Sequence, residues 1–192
     1  MNEQLIGLIL AGGNSSRMGF DKRKLALNGV PVITVLANEL SNCCINIFLS
    51  CKKDDPPETP IKFLIDEYPF GGPLNGIMTA LNRFSHHSIL VVAADQPFVQ
   101  QKHLDHLISE NDPALPATTF LNAKTVMAEP FPSIWNPISY HLLQQFILNH
   151  RPSPLDFMKK HKIKVITTHD QDFSINLNTP EELKAFKGIT RG

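Results

Sequence analysis

Short apolar runs alternate with amphipathic stretches over most of this chain. Apolar runs that end at glycine, proline or an acid are typical of buried strands in a parallel sheet, whereas apolar residues repeating every three to four positions indicate helices. These patterns predict strands at 5–10, 45–50, 61–66, 89–94 and 163–167, and helices at 31–40, 74–81, 101–109, 139–148 and from Thr179 onward.

The alternation of strands and helices predicts an α/β fold with helices on both faces of the sheet. A length of 192 residues with 42% hydrophobic content suits one domain spanning 1–192. In such sheets ligands bind beyond the carboxyl ends of the strands. Three loops are expected to meet at that edge: GGNSSRMGFDK from Gly12, DEYPFGGP from Asp66 and the ADQP corner at Asp95.

Charge and cysteine content narrow the function classes. Lys plus Arg and Asp plus Glu each number 18, so the chain has no bulk attraction for nucleic acid or anionic membranes. The three cysteines show no CxxC spacing, and the sequence starts without a leader pattern, which favours a reducing, cytoplasmic location. No apolar stretch approaches the roughly 20 residues that cross a bilayer.

The opening loop combines adjacent glycines with cations. Gly12 and Gly13 allow backbone N–H groups to approach a ligand closely, and Arg17 and Lys22 add positive charge beside them. A tight turn with solvated cations is the plainer interpretation, but the combination favours polyphosphate binding. The loop matches neither GxxxxGK[ST] nor GxGxxG, which disfavours an ATPase or a dinucleotide oxidoreductase.

Two aspartates follow predicted strands. Asp95 is a candidate Mg²⁺ ligand, because a hard oxygen beside a phosphate loop suits that ion, but it could equally cap the next helix. Asp66 likewise stands at the end of a predicted strand and could be a turn or cap residue. Its carboxylate could also accept hydrogen bonds from N–H groups of a nucleobase. Asn176 and Asn178 could complete a metal shell or hold a phosphate, although asparagine before a helix is more often structural.

The remaining polar and aromatic candidates have structural interpretations. The eight histidines are scattered without ligand spacing and are interpreted as surface residues. The aromatic residues of EPFPSIW, Phe131 and Trp135, are expected in a core strand rather than in a stacking platform.

Several motifs together resemble one family. LAGGNSSRMGFDK resembles the LAGGxSxRMGxDK signature of the molybdenum cofactor nucleotidyltransferases of the MobA type. In the same order, IDEYPFGGPLNG resembles the family's Asp-then-GPLxG element, the DQP at Asp95 its DxP corner, EPFPSIW its Pro-Phe strand, and NLNTPEEL its NxNTPE segment.

The resemblance implies a three-layer α/β/α Rossmann-like nucleotidyltransferase fold with a mainly parallel sheet, and transfer of GMP from GTP to molybdopterin phosphate with release of pyrophosphate. It implies catalytic roles for Arg17, Lys22 and Asp95, with Asp95 holding Mg²⁺. It implies substrate contacts from Leu10, Ala11, Gly12, Gly13, Lys22, Asp66, Gly76, Asn176 and Asn178. It further implies a monomer or weak oligomer with transient contact to molybdoenzymes or their chaperones.

Two positions depart from the family pattern. Phe20 stands where many guanylyltransferases have a second glycine, and Asn75 stands where they have a small residue. The LAGG opening at Gly12 favours GMP over CMP, since related enzymes with LAAG transfer CMP. The alternatives are a cytidylyltransferase or another MobA-like nucleotidyltransferase, and a family member that binds nucleotide or a partner without catalysis.

Overall fold

A computed structural model of the chain describes residues 4–11, 25–27, 29–56 and 58–175. Within these ranges seven strands form one sheet in the order β5-β4-β1-β6-β8-β7-β9. They are β1 (Leu5–Leu10), β4 (Cys44–Cys51), β5 (Phe63–Ile65), β6 (Ile89–Ala93), β7 (Ala117–Asn122), β8 (Met127–Trp135) and β9 (Lys164–Ile166), while β2 (Ala26–Leu27) and β3 (Val30–Pro31) form a separate small hairpin.

The sheet is parallel except at one strand. β8 lies between β6 and β7 and runs antiparallel to both, and the other pairings of the sheet are parallel. The prediction of a mainly parallel α/β sheet is therefore confirmed. Among the described residues, no helix is long and apolar enough to cross a membrane.

Helices cover both faces of the sheet, as predicted. They are α1 (Val32–Ser41), α2 (Pro73–Arg83), α3 (Gln101–Ser109), α4 (Ser139–Asn149) and α5 (Pro154–Lys160). One apolar core joins Leu36 of α1 and Leu104 of α3 to the sheet, and a second joins Ile77 of α2 and Phe157 of α5 to the opposite face. Trp135 is fully buried in the second core, so EPFPSIW is a core strand.

Besides the β2–β3 hairpin, β7 and α5 were missed because their sequences carry weak signals. β7 contains two buried threonines, and the hydroxyl of one has a partner outside the strand: Thr118 Oγ1 donates to Asn111 Oδ1 at 3.0 Å. The short helix α5 starts in RPSP, which has the composition of a loop, but Pro154 occupies its first turn and the Ser153 hydroxyl accepts from Asp156 N at 3.3 Å.

The surface interpretation of the histidines is wrong for His103. Its side chain is 3% exposed, and its Nε2 lies 3.1 Å from Asp170 Oδ2. Its Nδ1 accepts a hydrogen bond from Gln100 N at 3.1 Å, and its ring packs against Phe173. Nothing near His103 in sequence reveals Asp170, which is brought to α3 by the fold. The helix expected from Thr179 lies outside the described residues.

Candidate functional site

The edge where the parallel strands end carries both candidate aspartates. Asp66 directly follows β5, and Asp95 follows the end of β6. β4 and β1 lie between these two strands, and neighbouring strands are about 4.8 Å apart, so the two aspartates are separated by about 14 Å. One metal ion cannot be held by both carboxylates. Asp66 and Asp95 therefore lie at separate places along this edge.

Asp66 is held by the end of β4. The Ser50 hydroxyl donates to Asp66 Oδ1 at 2.7 Å, and the backbone N–H of Asp66 donates to Cys51 O at 2.9 Å. Partial burial raises the pKa of the Asp66 carboxyl, while the Ser50 hydrogen bond and the charge of Lys52 lower it, and the net shift is upward. The carboxylate is thus oriented by a buried hydroxyl and is still accessible to a ligand.

The loop after Asp66 is fastened to α2 by two buried polar side chains. The Asn75 amide donates to Tyr68 O at 2.7 Å and to Phe70 O at 2.6 Å, and its Oδ1 accepts from Tyr68 N at 3.1 Å. The Thr79 hydroxyl accepts from Glu67 N at 3.0 Å. Asn75, one of the two departures from the family pattern, therefore organises the loop at positions that a small residue could not reach.

Gly76 permits a close approach of α2 to the sheet. A Cβ on Gly76 would lie 2.9 Å from Ser50 Cβ and 3.0 Å from Leu10 Cδ2, and it would also collide with the Ser50 hydroxyl oxygen. Gly76 thus contacts the residue that orients Asp66. Its role in the structure is packing behind the site.

A cavity of about 750 Å³ opens beside Asp66, between the loop at 66–72 and the α4–α5 connection. This volume is within the usual range of small-molecule sites. Tyr68 and Phe70 stack in its wall with ring centroids 5.6 Å apart. The cavity is lined by Lys52, Lys53, Asp66, Tyr68, Pro69, Phe70, Gly71, Gly72, Pro73, Asn75, Arg151, Pro152, Ser153, Pro154 and Asp156.

Sequence reasoning missed the basic side of this cavity. The sequence patterns singled out neither Lys52 and Lys53 nor Arg151. The position of Lys52 directly after β4 was an available signal, because it is a strand end at the ligand edge. Arg151 had no such signal, since it reaches the cavity through the packing of α4 and α5.

The corner that carries Asp95 is fixed on both sides. Ala94 N donates to Leu10 O at 3.0 Å, which joins the corner to β1, and Gln96 Nε2 donates to Phe131 O at 2.8 Å, which joins it to β8. Gln96 N closes the turn by donating to Ala93 O at 3.0 Å. Asp95 lies between these anchors and is partly exposed, so its carboxylate is placed at the edge by backbone hydrogen bonds.

The other predicted residues divide into two groups. Leu10 is buried at the end of β1 and Ala11 is partly buried directly after it. Both lie between the strands that lead to Asp66 and Asp95. The predicted residues that lie outside the described ranges are Gly12, Gly13, Arg17, Lys22, Asn176 and Asn178. Within those ranges there is no group of three or more His, Cys, Asp or Glu side chains able to hold a metal ion.

Comparison with known proteins identifies the family. The sequence model of the MobA-like NTP transferase domain matches residues 7–165, which include most of β1, both aspartates and most of the sheet. The chain belongs to this family of NTP transferases. The resemblance inferred from the LAGG and DQP motifs is thereby confirmed.

Similar proteins agree with this assignment. Over 187 residues the chain is 26% identical to a "Probable molybdenum cofactor guanylyltransferase" of Carboxydothermus hydrogenoformans, covering 94% of this chain and 93% of that one. It is 27% identical over 181 residues to a "Molybdenum cofactor biosynthesis bifunctional protein" of Synechocystis sp.. That match covers 93% of this chain and 52% of the bifunctional protein, so the chain spans about half of that relative.

A solved structure shows the same fold. The molybdopterin-guanine dinucleotide biosynthesis protein A of Archaeoglobus fulgidus superposes with a TM-score of 0.79 at 23% sequence identity, covering 95% of this chain and 97% of that one. The predicted α/β/α nucleotidyltransferase fold is therefore confirmed.

Proposed function

We propose that this MobA-like chain transfers GMP from GTP to the phosphate of molybdopterin, releasing pyrophosphate and forming molybdopterin guanine dinucleotide. The observation that carries the proposal is the position of the LAGG signature. Its first two residues, Leu10 and Ala11, stand at the end of β1 on the ligand edge, between the strands that lead to Asp66 and Asp95. The names of the relatives support the choice of substrates.

Asp66 would select the base. A carboxylate is an acceptor pair, and the guanine edge offers N–H donors to it, so an oriented Asp66 favours guanine over bases that present acceptors there. The neighbouring cavity, with its stacked aromatic wall, supplies a surface for the nucleoside. Leu10 and Ala11 would contribute backbone groups. Gly76 would act indirectly, because its missing Cβ leaves room for Ser50, which orients Asp66.

The triphosphate would lie along the opening loop. Gly12 and Gly13 would present backbone N–H groups, and Arg17 and Lys22 would neutralise charge on the α-phosphate and on the leaving pyrophosphate. An oxygen of the molybdopterin phosphate attacks the α-phosphorus of GTP, and the bond from this phosphorus to the bridging oxygen of the β-phosphate breaks. Positioning and charge stabilisation supply the catalysis, and no covalent enzyme intermediate is required.

The residues at the Asp95 corner suit Mg²⁺. This ion is usually held by one or two protein carboxylates together with substrate phosphates and water. Asp95 would supply the protein carboxylate, with Asn176 and Asn178 completing the shell or holding phosphate oxygens. When bound, Mg²⁺ neutralises charge on the phosphates.

The wider assignments follow from the same proposal. The chain would act as one domain over 1–192, in the cytoplasm, as a monomer or weak oligomer, and would contact molybdoenzymes or their chaperones transiently. Its equal counts of acidic and basic residues fit small-molecule substrates rather than nucleic acid or membranes.

Pyrophosphate release tests the proposal. The assay contains molybdopterin and Mg²⁺ with GTP, CTP or ATP, and it is repeated with Lys22→Ala and with Lys159→Ala, an exposed lysine of α5, as the matched control. The proposal expects pyrophosphate release with GTP. Lys22→Ala should lose most of this release, and Lys159→Ala should retain it.

Two other outcomes would change the assignment. Preference for CTP would keep the transferase chemistry and make the chain a cytidylyltransferase. GTP binding without pyrophosphate release, in folded protein with active acceptor, would make it a nucleotide-binding protein without catalysis.

A further inference from the structure

Two tyrosines form a hydrogen bond between the wall of the cavity and α4. Tyr68 Oη and Tyr140 Oη lie 3.0 Å apart, although the two residues are 72 positions apart in sequence. Tyr68 lines the cavity beside Asp66, and Tyr140 is the second residue of α4. Burial and the Tyr140 hydroxyl raise the pKa of Tyr68, so its hydroxyl keeps its proton at neutral pH and the hydrogen bond persists there.

The backbone of Tyr68 is fixed separately from its hydroxyl. Asn75 Oδ1 accepts from Tyr68 N at 3.1 Å, and Asn75 Nδ2 donates to Tyr68 O at 2.7 Å. The Tyr68 ring stacks with Phe70 at an interplanar angle of 26°. Because the side chain is partly exposed, a ring held only at its backbone could rotate about its side-chain torsions. The bond to Tyr140 fixes the far end of the ring and restricts that rotation.

The helix α4 connects the tyrosine pair to the opposite wall of the cavity. Arg151 and Pro152 line that wall, in the connection that directly follows α4. Phe146 of α4 is buried in the core beneath the helix, so α4 is a packed element with a defined position. The bond between Tyr68 and Tyr140 therefore ties the loop at 66–72 to the helix that leads into the other wall.

We infer that Tyr140 is a positioning residue for the nucleoside, which fixes the Tyr68 ring as a preformed wall for the guanosine of GTP. This inference rests on the proposed function. Among the described residues that line the cavity Tyr68 is present and Tyr140 is not, so Tyr140 acts through Tyr68. A side chain that is ordered before binding lowers the entropic cost of binding, and the affinity for the ligand rises accordingly.

Removal of a single hydroxyl tests this role. GTP affinity is measured by isothermal titration calorimetry, and KM and kcat are measured from pyrophosphate release, for the unmodified chain and for Tyr140→Phe. The variant should bind GTP about fivefold more weakly and show a KM for GTP raised about fivefold, the effect expected when one side chain must be immobilised on binding. The kcat at saturating GTP should be unchanged, because the reacting phosphate is expected near Asp95, about 14 Å from Asp66.

Ser139→Ala is the matched control, because it removes a hydroxyl from the neighbouring position of the same helix. The Ser139 hydroxyl is buried and donates to Asn136 O at 2.6 Å. This variant should lower the melting temperature and leave the GTP affinity and the KM unchanged. If Tyr140 only supports the fold, Tyr140→Phe will behave in the same way as Ser139→Ala. That result overturns the inference.

Tyr68→Phe breaks the same hydrogen bond from the other side and keeps the ring. If Tyr140 acts through Tyr68, the double variant should bind GTP as Tyr68→Phe alone does, since residues that act through one contact are not additive. Additive losses of GTP affinity would overturn the inference. A raised KM for molybdopterin with unchanged GTP affinity would overturn it as well, because the cavity would then not hold the nucleoside.

The unmodified chain separates this inference from the proposed function. GTP binding and pyrophosphate release in the unmodified chain, with unchanged GTP affinity in Tyr140→Phe, reject the role of Tyr140 and leave the proposed function standing. Failure of the unmodified chain to bind GTP rejects both.

Discussion

Ser50 and Asp66, 16 residues apart in sequence, are joined by a hydrogen bond of 2.7 Å from the serine hydroxyl to the carboxylate. The bond crosses from the end of β4 to the residue after β5. It favours the ionised carboxylate and fixes its direction, whereas burial opposes ionisation. The base-selecting group of the proposed site is thus controlled by a buried neighbour that touches no part of the cavity.

Replacement of this serine should shift the pH dependence of GTP binding. Ser50→Ala removes a hydrogen bond to a charged carboxylate. Because this hydrogen bond lowers the pKa of Asp66, its loss raises that pKa, and the loss of GTP affinity on acidification should begin at a higher pH. Fluorescence titration of GTP between pH 4 and 8 measures the shift. Ser109→Ala, at an exposed serine, should leave this pH dependence unchanged.

Gly76→Ala should destabilise the protein although alanine is the better helix former. Helix propensity alone favours alanine by about 1 kcal/mol, but the added Cβ would lie 2.9 Å from Ser50 Cβ and 3.0 Å from Leu10 Cδ2. Overpacking costs about 1–3 kcal/mol, so the net effect is a loss of about 1 kcal/mol in the free energy of unfolding. GTP affinity should fall as well, because Ser50 is displaced from Asp66.

Urea unfolding and GTP titration of the same variants check this prediction. Gly71→Ala is the matched control for urea unfolding, since a Cβ at Gly71 meets no atom within 4 Å. A Gly76→Ala protein as stable as the unmodified chain would show that α2 does not press on Ser50.

The Lys102–Asp170 ion pair should make stability depend on pH in the acid range. Lys102, His103 and a backbone hydrogen bond hold the pKa of Asp170 at about 2, below its ordinary 3.8. A lowered acid pKa stabilises the fold above pH 3.8, and the contribution is lost as pH falls through about 2. Since the Lys102 side chain is 58% exposed, solvent screening limits the contribution to about 1 kcal/mol.

Asp170→Asn tests this linkage. At pH 7 the free energy of unfolding of the variant should be about 1 kcal/mol lower than that of the unmodified chain. This difference in the free energy of unfolding should shrink as the pH is lowered towards the pKa of Asp170. Urea unfolding at several pH values gives the comparison, with Asp54→Asn as the control at an exposed aspartate. A difference that stays constant with pH would exclude the ion pair as its source.

Val126 stores backbone strain in the β7–β8 turn. Its φ is +56°, a conformation that β-branched residues adopt at a cost, and its side chain is 72% exposed. Val126→Asn should therefore raise the free energy of unfolding by about 1 kcal/mol, because asparagine tolerates this region and no core contact is lost. Thermal unfolding of Val126→Asn measures the gain in stability, with Thr125→Asn, at the preceding exposed position, as the control. A loss of stability in Val126→Asn would contradict the strain.

Sequence periodicity located the site residues that follow strands, and it could not relate them to one another. Asp66 and Asp95 were both predicted at the ligand edge, but the distance between them depends on strand order. β5 and β6 are consecutive strands along the chain, but in the sheet β4 and β1 lie between them. Nothing local to either aspartate encodes that separation.

The other missed residues depend on long-range packing in the same way. Arg151 reaches the cavity because α4 and α5 pack on one face. His103 was misplaced because its partner Asp170 lies 67 positions further along the chain. Pattern reasoning succeeds where a residue's environment is set by its own strand or helix, and fails where two distant segments must meet.

If Asp66 contacts the base and Asp95 the phosphates, as proposed, their separation of about 14 Å lets the two contacts change independently under selection. Under the proposed function, substitutions on β4, β5 and α2 can change which nucleotide is accepted without moving the groups that hold the phosphates. The strands β4 and β1 set the spacing between them, and the side chains of β1 are buried in both cores. New nucleotide preferences can therefore arise in this fold from changes at one end of the site, while the chemistry at the other end is retained.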